Sequence, residues 1–247
     1  MAEGKSKILV LVEGAKTDYK LMKHLLHVYG IESSHEIVSY DTNIYTLYKE
    51  MFQDGDPNSI DILQNLKEHE RDEEKKKLFD ERYSDILLIF DLDPQAPDLS
   101  PEKIMAMMTY FVESSDMGKL YINYPMVESF YHMKSIPDDN YNAYTASLEE
   151  LREHKYKQRV NAENRNHDYS KFAVTRAECT TVIQQNIDKA WLLTETKRLV
   201  DDLSCVLPES ADILRSQLKN MEEKQLVSVL CTCAFYIADY NPHLLEA

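Results

Sequence analysis

No apolar run in the chain approaches the ~18 residues needed to span a bilayer. The run near its start, Ile8 to Val12, is too short for the hydrophobic region of a signal peptide. The expectation is a protein that works in the cytoplasm, away from membranes. Cysteine is scarce: Cys179, Cys205, Cys231 and Cys233 include no CxxC pair and fall in helix-like sequence. That excludes a zinc ribbon or a disulfide framework and predicts buried thiols. Cations are outnumbered, with 28 Lys and Arg against 43 Asp and Glu and a formal charge of −15. Phosphate binding draws on clustered Lys and Arg, so a general nucleic-acid coat protein is excluded and any nucleic-acid site must be local. A GxxxxGK[ST] loop is missing, so any ATPase partner must be a separate protein. Internal repeats and low-complexity tracts are also lacking. What remains is globular material, 247 residues of which 43% are hydrophobic, enough to bury a full core.

The stretch around which the chain organises is Asp85 to Asp93, DILLIFDLD. Five apolar residues, Ile86 to Phe90, run without polar alternation and stop on two aspartates. Such a run predicts a strand covered on both faces in an α/β sheet. Residues that follow it lie at the sheet's carboxyl edge, where open α/β folds bind ligands.

Lys7 to Glu13, KILVLVE, is a second strand pattern. It is followed by Gly14 and a helix whose Leu21, Met22, Leu25, Leu26 and Tyr29 share one face up to Gly30. Glu36 to Tyr40 reads as a short strand, Ile44 to Phe52 as an amphipathic helix, DGDPNS at 54–59 as a turn, and Ile60 to Lys67 as helix again. Mixed charges from Lys67 to Arg82 describe a solvated helix face. After the central strand come a helix from Pro101 to about Ser115 and a strand, KLYINY, at Lys119 to Tyr124. Beyond Pro137 the pattern is helical throughout, over Thr145 to Lys155, Arg176 to Val206 and Pro208 to Tyr240. The expected architecture is an α/β domain over 1–137, with a mostly parallel sheet and flanking helices, followed by a helical domain over 138–247.

Each of three apolar strands ends on acid: Glu13, then Asp91 and Asp93, then Glu128 shortly after the last. Parallel strands joined by helices present their carboxyl ends on one edge, which would gather these carboxylates. Clustered acids repel and raise one another's pKa unless a cation neutralises them, and an all-oxygen set selects Mg²⁺ or Mn²⁺ over zinc. Sites of this kind bind phosphates and activate water. The alternative use of acids after strands is as loop residues and helix caps.

VEGAKTD at Val12 to Asp18 with FDLD at Phe90 to Asp93 resembles the glutamate and DxD motifs of the Toprim fold, found in topoisomerases, primases and OLD-family nucleases. EGAKTD and the NYPMVESF of Asn123 to Phe130 are similar to elements of the RloB and AbiLii-like branch, with Ser129 and Phe130 departing from its pattern. The resemblance covers Lys7 to about Met133. It implies a metal-dependent nuclease in which Glu13 is a metal ligand or general acid/base, Asp91 and Asp93 are the main metal ligands, and Glu128 and Asp18 support them. Asp18 has a second use as an amino-terminal helix cap. Lys16 would hold a phosphate at the helix start or lie on the surface. YSK at 169–171 would supply a catalytic lysine, Lys171, and His132 has no counterpart at that spacing. The resemblance also implies an anti-phage effector working with a separate ABC-type ATPase.

One segment runs against the acidic balance. Arg152, Lys155, Lys157, Arg159, Arg165, Lys171 and Arg176 are interleaved with Tyr156 and Tyr169, a composition for gripping a phosphate backbone and stacking a base, or for a solvated helix face. The apolar stripe of Leu226, Val229, Leu230, Cys233 and Phe235, together with Trp191, offers a core or a docking and homodimer surface. A different class of function, a catalytically silent module that keeps the fold, stays open beside the nuclease. Neither the nucleophilic tyrosine context of a topoisomerase nor the zinc domain of a primase is visible.

Overall fold

Lys7–Val12 (β1) buries Ile8 to Val12 consecutively, so both faces of its pleat are covered, as a parallel strand between helices requires. The chain turns at Gly14 into a helix, Thr17–Val28 (α1), which buries Leu21, Met22, Leu25 and Leu26 at helical spacing. It returns as His35–Ser39 (β2), parallel to β1 with Val12 opposite Ser39. Three helices follow: Ile44–Tyr48 (α2), Ile62–His69 (α3) and Glu73–Leu78 (α4), each opened by an Asn or Asp side chain that accepts a backbone N–H. Tyr83–Asp91 (β3) then lies on the other side of β1, parallel to it, with Val12 opposite Ile89 and every residue from Ile86 to Asp91 buried. Pro101–Tyr110 (α5), Val112–Glu113 (β4) and Gly118–Asn123 (β5) complete a sheet of order β2-β1-β3-β5-β4, in which β4 is antiparallel to β5. The protein is thus α/β, with a mostly parallel five-stranded sheet and helices around it. This computed structural model describes residues 7–53, 56–115, 117–195 and 207–246.

The chain divides into two compact units, Met1–Phe90 with Ser100–Tyr121, and Asp91–Leu99 with Ile122–Ala247. The sheet belongs largely to the first. The second holds Thr145–Ser147 (β6), Leu148–Arg152 (α6), Tyr156–Glu163 (α7), Arg176–Thr194 (α8), Ser210–Lys224 (α9), Leu226–Ser228 (β7) and Tyr236–Tyr240 (α10).

The carboxyl-terminal part is not helix alone. β6 and β7 pair antiparallel, Thr145 with Ser228 and Ser147 with Leu226, and Tyr124 exchanges backbone hydrogen bonds of 2.8 Å with Leu230. Three-residue strands are too short to display a period of two, and their partners are remote in sequence. The helix expected from Thr145 therefore starts at Leu148, and the one expected over Pro208 to Tyr240 stops at Lys224, where Gln225 turns left-handed at φ 56°. The helix expected to reach Ser115 stops at Tyr110 and gives way to β4. α8 is described to Thr194, and the rest of the expected helix to Val206 lies outside the described residues, as does Cys205. Cys179, Cys231 and Cys233 are buried. Val229, Leu230, Cys233 and Phe235 are core residues, so this part of the stripe is not a docking surface. No helix among the described residues is long and apolar enough to cross a membrane.

Candidate active site

The buried strand β3 ends on Asp91, and the next residues are tied down by backbone bonds in the second unit. Leu92 N–H donates to Asn123 O at 3.0 Å and Asp93 N–H to Pro125 O at 3.2 Å. Asp93 then takes a left-handed conformation, φ 44°, which costs a residue with a side chain some strain and marks a place where surroundings dictate the backbone. Its carboxylate accepts from Gln95 Nε2 at 3.0 Å. Asp91 is held from the side by Asn123, which is fully buried and donates from Nδ2 to Asp91 Oδ1 at 3.3 Å. Oδ1 of the same Asn123 accepts from Cys233 N–H at 3.2 Å and lies 3.6 Å from the Cys231 thiol. Glu128 comes from a single turn, Val127–Tyr131, buried at all five positions.

Glu128 meets an ammonium. Lys157 Nζ, on the first turn of α7, lies 3.1 Å from Glu128 Oε1. Burial alone would lower the Lys157 pKa, but the charge of Glu128, with those of Asp91 and Asp93 beyond it, outweighs burial and holds it above its ordinary value. Asp93 is pushed above the usual carboxylate range, mainly by burial and further by Glu128, against the opposing pull of Gln95 and Lys157. Asp91, Asp93 and Glu128 are therefore one electrostatic cluster. Glu128 is 3% exposed, and its second oxygen, Oε2, has no hydrogen-bond partner; Gln95 Oε1 and the Tyr169 hydroxyl are likewise buried and unpartnered. Burial, with the charge of Glu128 behind it, raises the Tyr169 pKa, and its ring stacks on Tyr131 with centroids 4.1 Å apart. Unsatisfied buried polar atoms are rare and call for a ligand, ion or water to complete them.

Glu13 and Asp18 belong to the first unit. Glu13 leaves β1 with its N–H on Ile89 O at 3.0 Å and its C=O accepting from Asp41 N–H at 3.0 Å. Asp18 is buried in the first turn of α1, whose cap is Lys16, so it is not the helix cap; its carboxylate folds back over Gly14. Lys16 is exposed. Lys171 is exposed and pairs with Asp168 at 3.5 Å rather than with the acid cluster.

The basic segment is largely spent on local partners. Lys155 pairs with Glu153 at 2.7 Å, Arg159 with Glu150 at 2.9 Å, Arg165 with Glu178 at 2.7 Å, and Arg176 donates to Leu244 O at 2.8 Å. It is a lattice of intramolecular ties, with Arg152 exposed at the end of α6, rather than a stripe of unengaged cations. His132 is also structural. It is buried between Tyr156 and Glu163, and burial lowers its pKa to about 4 despite the carboxylate. Asn123 and Gln95 emerge as site residues that sequence reasoning did not assign, while Tyr169, expected only as a base-stacking ring, lies within the field of Glu128. For Asn123 the signal was available: it is a polar residue closing an apolar strand.

The group implied for such a site is a hard divalent cation, and the donor chemistry fits one. Asp91, Asp93 and Glu128 offer only oxygens, and one buried Glu128 oxygen awaits a partner. They do not form a closed ligand set: among the described residues no three His, Cys, Asp or Glu side chains are arranged to hold a metal ion. No known family model, curated protein or solved structure matches the chain.

Proposed function

We propose that the chain is a Mg²⁺- or Mn²⁺-dependent nuclease of Toprim type, hydrolysing phosphodiester bonds of DNA or RNA in the cytoplasm. The observation that carries the proposal is the acid cluster at the end of the buried strand β3: Asp91, Asp93 and the unpartnered Oε2 of Glu128. Asp91 and Asp93 would hold the cation, with Glu128 as third donor. When bound, such an ion supplies positive charge for a phosphate oxygen and makes water a stronger nucleophile. Asn123 fixes the direction of Asp91, and Gln95 that of Asp93. Lys157 brings a positive charge next to the cluster, where it would balance charge building on a scissile phosphate. The resemblance of the sequence motifs adds Glu13 as a further required acid, and a separate ABC-type ATPase and a defence role as its setting.

The test incubates purified protein with labelled DNA and RNA in Mg²⁺ or Mn²⁺, alongside Glu13→Gln and Asp91→Asn variants. Cleavage lost in both variants supports the assignment. Cleavage that persists in both sinks it. One observation favours a second reading, a silent module of the same fold: the cluster already carries an internal cation, Lys157. No cleavage of any substrate, with partner binding retained in Asp91→Asn, selects that reading.

A further inference from the structure

We infer that Lys157 is the built-in counter-ion of the acid cluster, and that a divalent cation enters only by displacing its ammonium from Glu128. The inference rests on the cation site of the proposed function but not on turnover. Its first support is the asymmetry of the pair. Glu128 is fixed, on a turn buried at every position, with its side chain 4% exposed; Lys157 reaches it with a side chain that is 60% exposed. One partner cannot leave and the other can swing into water, because a lysine stem is long and flexible and its ammonium is readily hydrated.

The second support is where the ammonium sits. It lies on Oε1 of Glu128 and within the field of Asp91 and Asp93, the oxygens a hard cation would take, while Glu128 Oε2 is buried without a partner. A monovalent ammonium satisfies one oxygen here. A divalent ion takes six or more oxygen ligands, water included, and engages several carboxylates at once. A divalent ion that engages Glu128 together with Asp91 and Asp93 stands close to the ammonium and repels it, while satisfying the charge that held it, so loading the site drives Lys157 out. The freed ammonium then stands one side-chain length from the cluster, placed to meet an incoming phosphate. Lys171 has no such relation, since its partner is Asp168.

The test measures Mn²⁺ binding calorimetrically to the full chain and to Lys157→Met and Lys157→Arg, with Asp91→Asn defining site-specific binding. Removing the internal cation is expected to tighten Mn²⁺ about 10-fold, with Lys157→Arg staying within 3-fold of wild type. Unchanged or weaker affinity in Lys157→Met, or no site-specific binding in either protein, overturns the inference. A second measurement needs no variant: Mg²⁺ should raise acetylation of Lys157 by an acylating reagent at least 3-fold, read by mass spectrometry with Lys171 as internal control. An unchanged Lys157 rate at saturating Mg²⁺ overturns the inference as well. Tightened Mn²⁺ and a released Lys157 in a protein that cleaves no nucleic acid would uphold the counter-ion and refute the nuclease.

Discussion

Asn123 joins Asp91 to the Cys231–Cys233 loop: its Nδ2 donates to the aspartate while its Oδ1 accepts from Cys233 N–H, and no part of the side chain reaches solvent. One amide thereby connects the end of β3 to a segment more than a hundred residues away. Replacing it with Leu leaves a buried carboxylate oxygen and a buried backbone N–H without their bonds. Such losses cost roughly 1–3 kcal/mol per group, so for the two groups Asn123→Leu should lower unfolding free energy by about 2–6 kcal/mol. Urea unfolding followed by circular dichroism measures it. A loss below 1 kcal/mol would mean that neighbours rebuild the connection.

Much of the scaffold was legible because its signals are long. The unbroken apolar run of β3 and the amphipathic face of α1 declare themselves over five to twelve residues. β6 and β7 do not, because each is three residues long and owes its existence to the other. The acids at the strand end were likewise legible as a chemical type. Which lysine meets them was not. Lys157 and Lys171 stand in the same basic stretch, and only the placement of α7 opposite the Val127–Tyr131 turn selects the first. The partners of the basic stretch were hidden for a related reason: its cations find carboxylates brought close by folding, such as Glu178 for Arg165.

Gly14 is there because of Asp18. A Cβ on Gly14 would lie 2.7 Å from Asp18 Oδ2, closer than real contacts allow, and Asp18 is buried with little room to move. Gly14→Ala should cost about 1–3 kcal/mol, the usual penalty for overpacking. In Asp18→Ala the obstacle is gone, so the double variant should be less destabilised than the sum by at least 1 kcal/mol. Strict additivity in a double-mutant cycle would show that some other contact excludes the methyl group.

Arg159 clamps three elements together. Its guanidinium donates to Thr145 O at 2.7 Å, lies 2.9 Å from Glu150 and sits 5.5 Å from the centre of the Tyr156 ring. Arg159→Lys keeps the charge but not the planar fork that serves all three contacts. Both Arg159→Ala and Arg159→Lys should therefore lose roughly 1–2 kcal/mol of stability. Affinity for single-stranded DNA or RNA and its salt slope should stay unchanged, because no phosphate contact is removed. A shallower salt slope in a fully stable variant would return Arg159 to the nucleic-acid interface.

His132 makes stability depend on pH in one direction. The Glu163 carboxylate can only accept, so Nε2 carries the ring proton and donates it at 3.0 Å, and the neutral ring's Nδ1 accepts from the Tyr156 hydroxyl at 3.2 Å. Burial is the largest influence and lowers the folded pKa to about 4, from the usual 6.5, even with Glu163 pulling the other way. Between those values the unfolded chain binds a proton that the folded protein does not. Stability from the neutral ring is thus complete above pH 6.5 and is lost as pH falls toward 4, by up to about 1.4 kcal/mol per pH unit and roughly 3 kcal/mol in all. Glu163 pulls in the same direction at the acid end of this window, because burial would raise its pKa but His132 and Lys134 hold it below its ordinary value. Unfolding free energies of wild type and His132→Gln, measured from pH 4.5 to 6.5, should differ in slope by close to one proton's worth, the wild type falling faster as acid is added. Parallel slopes would mean that His132 titrates normally in the folded protein and that its burial is not maintained in solution.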